Sequence, residues 1–334
     1  MDTLLQSLQQ FVYLPFLGTA IWLWLVFAGV VVTLLAFDLG VLHKDDHEIG
    51  VRESLFLSGG YISVALLFGA WVWWYLGAQS GTEYLTGFLI EKSLSMDNVF
   101  VIALIFTYLA IPRRYQHRVL FWGILGVIVL RALMIGAGAV LVSQFSWILY
   151  VFGAFLVFTG VKMWLIAEHT PNIANNPLLK FLRKNLRVTP DVEGNAFFVQ
   201  RSDPVTGKTV RWATPLFLAL CMVEVVDLVF AVDSVPAIFA ITNDPFIVYT
   251  SNIFAILGLR ALYFALAAMA HRFTYLKYAL ALVLVFIGSK IFLVGLIGKI
   301  PPVVSLGVTF GLIAGGVIVS LWKTRGEPPA LGKS

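Results

Sequence analysis

The stretch that decides the fold occurs twice in this chain: residues 156–162 read LVFTGVK, and residues 284–290 read LVFIGSK. Each copy is the last part of a three-part series. An aspartate comes first, an Arg-Ala-Leu triplet second, and this stretch third. The first series has spacings of 34 and 31 residues between Asp97, Arg131 and Lys162. The second has spacings of 33 and 30 residues between Asp227, Arg260 and Lys290. The repetition indicates a duplicated unit.

The composition places both copies in a membrane. Hydrophobic residues make up 60% of the 334 residues and charged residues 12%, and the mean hydropathy is +0.90. Soluble domains carry about 25% charged residues, so we expect an integral membrane protein. The net charge of +5 does not indicate nucleic-acid binding, because most of the basic residues fall in loops. Cys221 is the single cysteine, which excludes a disulfide framework or a thiolate metal cluster within one chain.

A membrane helix needs about 20 mostly apolar residues, and the sequence has nine such segments. The N-terminus lacks a basic region before its first apolar run, so we expect a retained helix rather than a cleaved signal. The sequence thus predicts an all-α membrane protein with about nine transmembrane helices. They cover residues 18–42, 54–77, 83–110, 118–142, 146–168, 213–241, 246–271, 275–298 and 302–322.

The charges in the loops predict the orientation. Of the 23 Lys and Arg residues, all but six fall in the loops after helices 1, 3, 5 and 7 and in the C-terminal tail. Because basic loops stay in the cytoplasm, the N-terminus is expected outside and the C-terminus inside.

Helices 3–5 carry the first series and helices 6–8 the second. Since three is an odd number, the second unit must enter the membrane from the opposite side. This is the inverted repeat of many secondary transporters, whose sites lie near the midplane between the repeats.

The predicted organisation has five parts. A two-helix segment (1–82) precedes the first repeat (83–168), a cytoplasmic loop (169–212), the second repeat (213–298), and a last helix with its tail (299–334). In the loop, residues 178–186 suit a short helix on the anionic inner leaflet, and residues 196–212 suit a small hairpin. The loop is either a plain linker or a regulatory element.

Buried carboxylates are costly in hydrocarbon, at roughly 2.5–3.5 kcal/mol each on insertion scales, and therefore mark candidate sites. Hard oxygen ligands without Cys or His suit Mg²⁺, Ca²⁺ or Mn²⁺. Pro236 is expected to break its helix locally and to re-aim a nearby acid. The candidate metal ligands are Asp97, Asp227, Glu224, Asp233, Asn98, Glu91 and Asp38.

The embedded bases are candidates for gating or for pairing with these acids. The alternative is that all the acids and bases form structural ion pairs between helices. The basic candidates are Arg131, Arg260, Lys162, Lys290 and Lys92.

Two long motifs resemble the signature segments of the TerC family of membrane proteins. The first is EKSLSMDNVF at 91–100; the second runs from Glu224 through AVDSVPAIFA at 231–240 to Arg260. The similarity extends over nearly the whole chain and is strongest to the Alx-like branch. It implies a bacterial inner-membrane protein of the LysE-like transporter superfamily. Members of that branch are associated with Mn²⁺ export, and others in the family with tellurite resistance.

We therefore expect a transporter that exports a divalent metal ion, Mn²⁺ first, through an acidic site between inverted repeats, with protons as a coupling ion. The expected partners are the lipid bilayer, the metal ion as substrate and protons; no permanent cofactor is expected, and the oligomeric state is left open. The alternative is a non-transporting scaffold of a metal or tellurite stress-resistance complex. An enzyme is not expected, because the sequence has no His-Glu-x-x-His motif and no Ser or Cys nucleophile beside a buried His.

Overall fold

The computed structural model describes residues 12–37, 50–145, 147–165, 173–202, 208–269, 275–298 and 300–325. Within these ranges the side chains at positions 97, 174, 260, 268, 269 and 295–297 are outside the description. All structural statements below concern this described part of the chain.

The described part is predominantly helical. The helices are α1 (Ile21–Phe37), α2 (Val51–Leu76), α3 (Ala78–Tyr108), α4 (Arg113–Gln144), α5 (Ile148–Leu165), α6 (Pro177–Asn185), α7 (Pro215–Phe239), α8 (Pro245–Met269), α9 (Leu276–Ile297) and α10 (Pro302–Lys323). Two small antiparallel hairpins accompany them: β1 (Pro15–Phe16) with β2 (Thr19–Ala20), and β3 (Phe198–Ser202) with β4 (Thr209–Ala213).

Six described helices are long and apolar enough to cross a membrane on their own: α2, α4, α5, α7, α9 and α10. A seventh is α8 if its two segments, which meet at 54°, count as one span. The helix α1 has only 17 residues, and α3 carries four charged residues along its length. A multi-pass membrane protein is therefore confirmed, and the expected nine spans are confirmed only in part.

The helices of the two units pack mainly on each other. In the described part, α5 lies along α9, α3 along α8, and α4 along α7. By contrast, α2 packs on α8 and α3, and α10 on α9 and α3. The helices of the two predicted units therefore pack against each other, which places the side chains of one predicted unit against those of the other.

Glycines set the close approach of α5 and α9. A Cβ at Gly160 would lie 2.7 Å from the carbonyl oxygen of Ala281 and 2.7 Å from Val285. At Gly288 it would lie 2.6 Å from the carbonyl oxygen of Gly153 and 2.9 Å from Val157. Small residues of this kind allow membrane helices to approach closely.

The cytoplasmic loop of the prediction packs on one end of the bundle. The helix α6 buries Leu179 in the apolar cluster that contains the end of α3 and the start of α7. Asn176 caps α6 by accepting from the N–H of Leu178 at 2.9 Å. The predicted hairpin is confirmed, with Phe198 paired to Ala213. The leucines of α6 pack on the bundle, because it offers an apolar surface there; the position of this helix on the inner leaflet stays a prediction.

The expected break at Pro236 is absent from the described helix. Instead, α7 runs from Pro215 to Phe239 with Pro236 inside it. Pro236 removes the N–H that would bond the carbonyl oxygen of Val232, yet the helix continues for three more residues to Phe239. Asp227 and Asp233 therefore point to different sides of α7, as their separation of six residues on a regular helix requires.

Candidate functional site

A buried arginine joins the two units at the centre of the bundle. The guanidinium of Arg131, on α4, has 1% of its side-chain surface exposed and contacts Asp227 of α7. Its Nε donates to Oδ2 of Asp227 at 3.2 Å and its Nη2 to Oδ1 at 3.3 Å. The pair is thus bidentate, the geometry in which arginine binds a carboxylate best.

A second carboxylate binds the same arginine. Glu91, on α3, is 1% exposed and its Oε1 lies 3.0 Å from Nη1 of Arg131. That nitrogen also donates to Oγ of Ser234 at 2.7 Å. Two carboxylates and one guanidinium leave a formal charge of −1 in a buried place, so the cluster favours one more positive charge. We call Glu91, Arg131, Asp227 and Ser234 the arginine cluster.

Asn252 holds the other oxygen of Glu91 and was not among the candidates from the sequence. Its Nδ2 donates to Oε2 of Glu91 at 2.9 Å, while its Oδ1 has no donor within the described residues. The sequence did carry a signal, because Asn252 follows Thr250 and Ser251 inside an otherwise apolar helix. An amide there needs a polar partner.

Two cavities lie beside the arginine cluster, and Asn98 lines both. The large cavity has a volume of about 330 Å³, and its wall includes Glu91, Arg131, Lys162 and Asp233. The small cavity has a volume of about 40 Å³ and is lined almost entirely by apolar side chains, with Asp227 at its wall. Asn98 is 3% exposed, and its Oδ1 has no partner among the described groups. This oxygen is an available ligand between the two spaces.

Asp233 lies in the wall of the large cavity, apart from Asp227. Its Oδ1 accepts from Oγ1 of Thr159 at 3.3 Å. Lys162, also on α5, lines the same cavity. This cavity therefore presents charged groups of both signs from α3, α4, α5 and α7.

Glu224 packs against a glycine of α4. A Cβ at Gly126 would lie 2.1 Å from its Oε1, so the glycine leaves room for the carboxylate. Its Oε2 is buried without a hydrogen-bond partner in the described structure. Glu224 lies one turn before Asp227 on α7, and together they place two acids beside α4.

The remaining lysines occupy separate places. Nζ of Lys92 donates to the carbonyl oxygen of Ala255 at 3.3 Å, and Gly258 gives it room on α8. Lys290, on α9, is half-buried. Neither lines the two cavities described above.

Three candidates cannot be placed. Asp38 and the side chains of Asp97 and Arg260 lie outside the described part of the chain. Among the described side chains, no three of the types His, Cys, Asp and Glu are grouped so as to hold a metal ion. Two of the described acids, Glu91 and Asp227, bind Arg131.

The comparisons with known proteins decide the family. The model of the "Integral membrane protein TerC family" matches residues 76–327. This chain belongs to the TerC family. The matched region contains the arginine cluster and both cavities, so the site described here lies within the family's domain.

Relatives of this TerC-family protein cover most of its length. It is 50% identical over 298 residues to an uncharacterised membrane protein of Rickettsia bellii, covering 89% of this chain and 96% of the relative. It is 48% identical over 309 residues to Alx of Escherichia coli K12, named as a proposed membrane-bound redox modulator, covering 90% and 94%. An uncharacterised membrane protein of Myxococcus xanthus is 48% identical over 306 residues, covering 92% and 94%. No solved structure matches.

Proposed function

We propose that this TerC-family protein is a transporter that exports a divalent metal ion from the cytoplasm, with Mn²⁺ as the leading candidate. The observation that carries the proposal is the arginine cluster between two cavities that share Asn98, whose amide oxygen has no hydrogen-bond partner among the described groups. Buried charges at membrane depth mark ion pathways, and these carboxylates come from both units.

Nine spans and an inverted repeat are part of the proposal. Support comes from matching contacts between the units. A two-fold relation pairs α3 with α7, α4 with α8 and α5 with α9. The packing of α3 on α8 then corresponds to that of α7 on α4, and α5 packs on its own counterpart α9. The contact of Gly160 with Ala281 is matched by that of Gly288 with Gly153. The lysines Lys162 and Lys290 stand two residues after the two glycines Gly160 and Gly288. A two-fold relation between the units would produce this pattern.

In the proposed mechanism, the guanidinium of Arg131 exchanges with the metal ion at the two carboxylates. The guanidinium is a tethered cation that satisfies Glu91 and Asp227 when no metal is bound. A divalent ion has to displace it, and a cation with two charges offsets both carboxylates at once. Asn98 and, as the sequence predicts, Asp97 would complete the shell, with Asp233 in the wall of the large cavity and Glu224 one turn before Asp227 on α7. This exchange would alternate access between the two cavities.

The cellular setting follows from the same proposal. We place the protein in the bacterial cytoplasmic membrane, with the N-terminus outside and the C-terminus inside. Lipid, the metal ion and protons are its partners. It acts as a transporter rather than an enzyme, and without a permanent cofactor.

The proposal is tested in everted membrane vesicles. Export predicts Mn²⁺ uptake into the vesicle lumen, driven by an imposed pH gradient if protons exchange for the metal. Equal rates with and without the gradient would reject coupling but leave transport standing. The absence of uptake above vesicles that lack the protein would reject transport itself.

A non-transporting scaffold is the second candidate, and one observation favours it. Arg131 engages both Glu91 and Asp227 fully, as structural ion pairs do. The printed name of the Alx relatives, a proposed redox modulator, also names no transported ion. A scaffold would move no ion as a purified protein.

A further inference from the structure

The helix α8 is bent without a proline at the bend. Its segments Pro245–Leu259 and Ala261–Ala267 meet at 54°, and its only proline is Pro245. Sharp kinks have identifiable causes, among them a side chain that inserts into the hydrogen-bond ladder. The cause of this bend should therefore be visible beside residues 259–267.

Ser54 contacts the backbone of α8 immediately after the bend. Its hydroxyl donates to the carbonyl oxygen of Ala261 and accepts from the N–H of Ala265 at 3.0 Å. In a regular helix these two backbone groups bond to each other. Ser54 belongs to α2, outside both units, and is completely buried. The hydroxyl thus satisfies both backbone groups in the bent form.

The bent end of α8 contributes a residue to the wall of the small cavity. Tyr263 lies between the two residues that Ser54 binds, and it lines the small cavity. Its Oη donates to Oε1 of Gln116 on α4 at 3.2 Å, and its ring centroid lies 5.7 Å from that of Phe106 on α3. The bend therefore holds Tyr263 between α3 and α4.

We propose that Ser54 is a positioning residue that latches α8 in the bent form, in which Tyr263 closes the small cavity. When the latch opens, the N–H of Ala265 and the carbonyl of Ala261 are left to bond only to each other, α8 straightens, and Tyr263 leaves its place against α4. The inference rests on the proposed transport function, because it assigns the latch to one step of alternating access. The helix α2, which carries Ser54, would then control this step.

The test is the accessibility of the small cavity, measured in the full-length protein. A single cysteine replaces Leu120 in the cavity wall, with Cys221 changed to serine, and a membrane-impermeant maleimide is added on the side where α6 lies. Ser54→Ala should raise the labelling rate at least about fivefold, the change that one hydrogen bond is worth. Ser58→Ala is the matched control, since Ser58 lies one turn along α2, is also buried, and has no hydrogen-bond partner within the described structure.

Two further measurements keep the outcomes separate. Ser54→Thr retains the hydroxyl and should label like the parent, which excludes a general loss of folding. In Mn²⁺ uptake, Ser54→Ala should change the maximal rate more than the half-saturating concentration. Equal labelling of the Ser54→Ala and Ser58→Ala proteins would overturn the latch. If the unaltered protein moves no divalent ion while labelling still responds to Ser54→Ala, the proposed function fails and the latch stands.

Discussion

At the scale of single residues, Arg131 lies between acids that a cation would need. Removing one partner from a buried ion pair costs about 3–5 kcal/mol, because an uncompensated charge remains. Loss of Asp227 or Glu91, which both pair with Arg131, would therefore leave an uncompensated charge and destabilise the protein. In the proposed mechanism, the same pairing sets a threshold that an entering cation has to exceed.

Asp227→Asn should reduce Mn²⁺ export at least about tenfold while the protein remains in the membrane. The amide keeps one oxygen for Arg131 but removes a charge from the site, and a hydrogen bond to a charged partner is worth about 1.5–3 kcal/mol. Uptake in vesicles at matched expression measures the effect. Glu193→Gln is the control, because Glu193 pairs with the partly exposed Arg201, away from both cavities. Export at the normal rate by Asp227→Asn would remove Asp227 from the site.

Gly126→Ala should lower both stability and export. The new Cβ would lie 2.1 Å from Oε1 of Glu224, so the carboxylate, which ends a flexible side chain, must rotate away at a cost of about 0.5–1.5 kcal/mol. Thermal unfolding in detergent measures the stability. Gly136→Ala on the same helix is the matched control, since no described heavy atom lies within 4 Å of its added Cβ. Equal melting temperatures for the two variants would contradict the placement of Glu224.

At the scale of elements, the contact of α5 with α9 should be sensitive to side-chain size at the glycines of both helices. Gly160→Ala and Gly288→Ala should each lower the melting temperature, because both place a Cβ within 2.7 Å of a carbonyl oxygen of the opposite helix. Gly311→Ala on α10 should leave it unchanged, as no described heavy atom lies near that position. An effect at only one of the two glycines would contradict the two-fold relation between the units.

The membrane helices were largely predictable from the sequence, because a span is recognised by the length and the apolar composition of its segment. The predicted segment 302–322 corresponds to α10, and 275–298 to α9. Helix ends were less predictable: α3 begins at Ala78, five residues before the expected start. An apolar window does not register a helix that begins with polar residues such as Gln79 and Ser80.

The partners of the charged residues could not be predicted from the sequence. The spacing of Arg131 from Asp97 suggested a unit, but one of its described partners, Asp227, lies 96 residues away on the other predicted unit. Ser54 gave no specific signal, because a serine near the start of an apolar helix does not indicate which backbone groups it will contact. Such contacts depend on how α2, α4, α7 and α8 pack.

At the scale of the whole molecule, the loops predict one orientation that labelling can test. A cysteine in place of Lys180 on α6 should react with an impermeant maleimide only in everted vesicles. A cysteine in place of Ala78, at the start of α3, should react only in intact spheroplasts. Cys221→Ser provides the background. Reaction of both positions from the same side would contradict the proposed arrangement of the spans.

The interlocking of the two units bears on how the molecule can move. Because α3 and α8, and α4 and α7, lie along each other, a separation of the units as two rigid bodies would break most of their shared contacts. Local bending of α8 needs less rearrangement. Alternating access in this molecule is therefore expected to proceed through element-scale motions around the arginine cluster.

The most direct measurement of the central claim uses purified protein in liposomes that contain a Mn²⁺-sensitive dye. The account predicts Mn²⁺ entry at a saturable rate for the unaltered protein and entry at the rate of empty liposomes for Asp227→Asn. Folded, unaltered protein that moves neither Mn²⁺ nor another divalent ion faster than empty liposomes would contradict it.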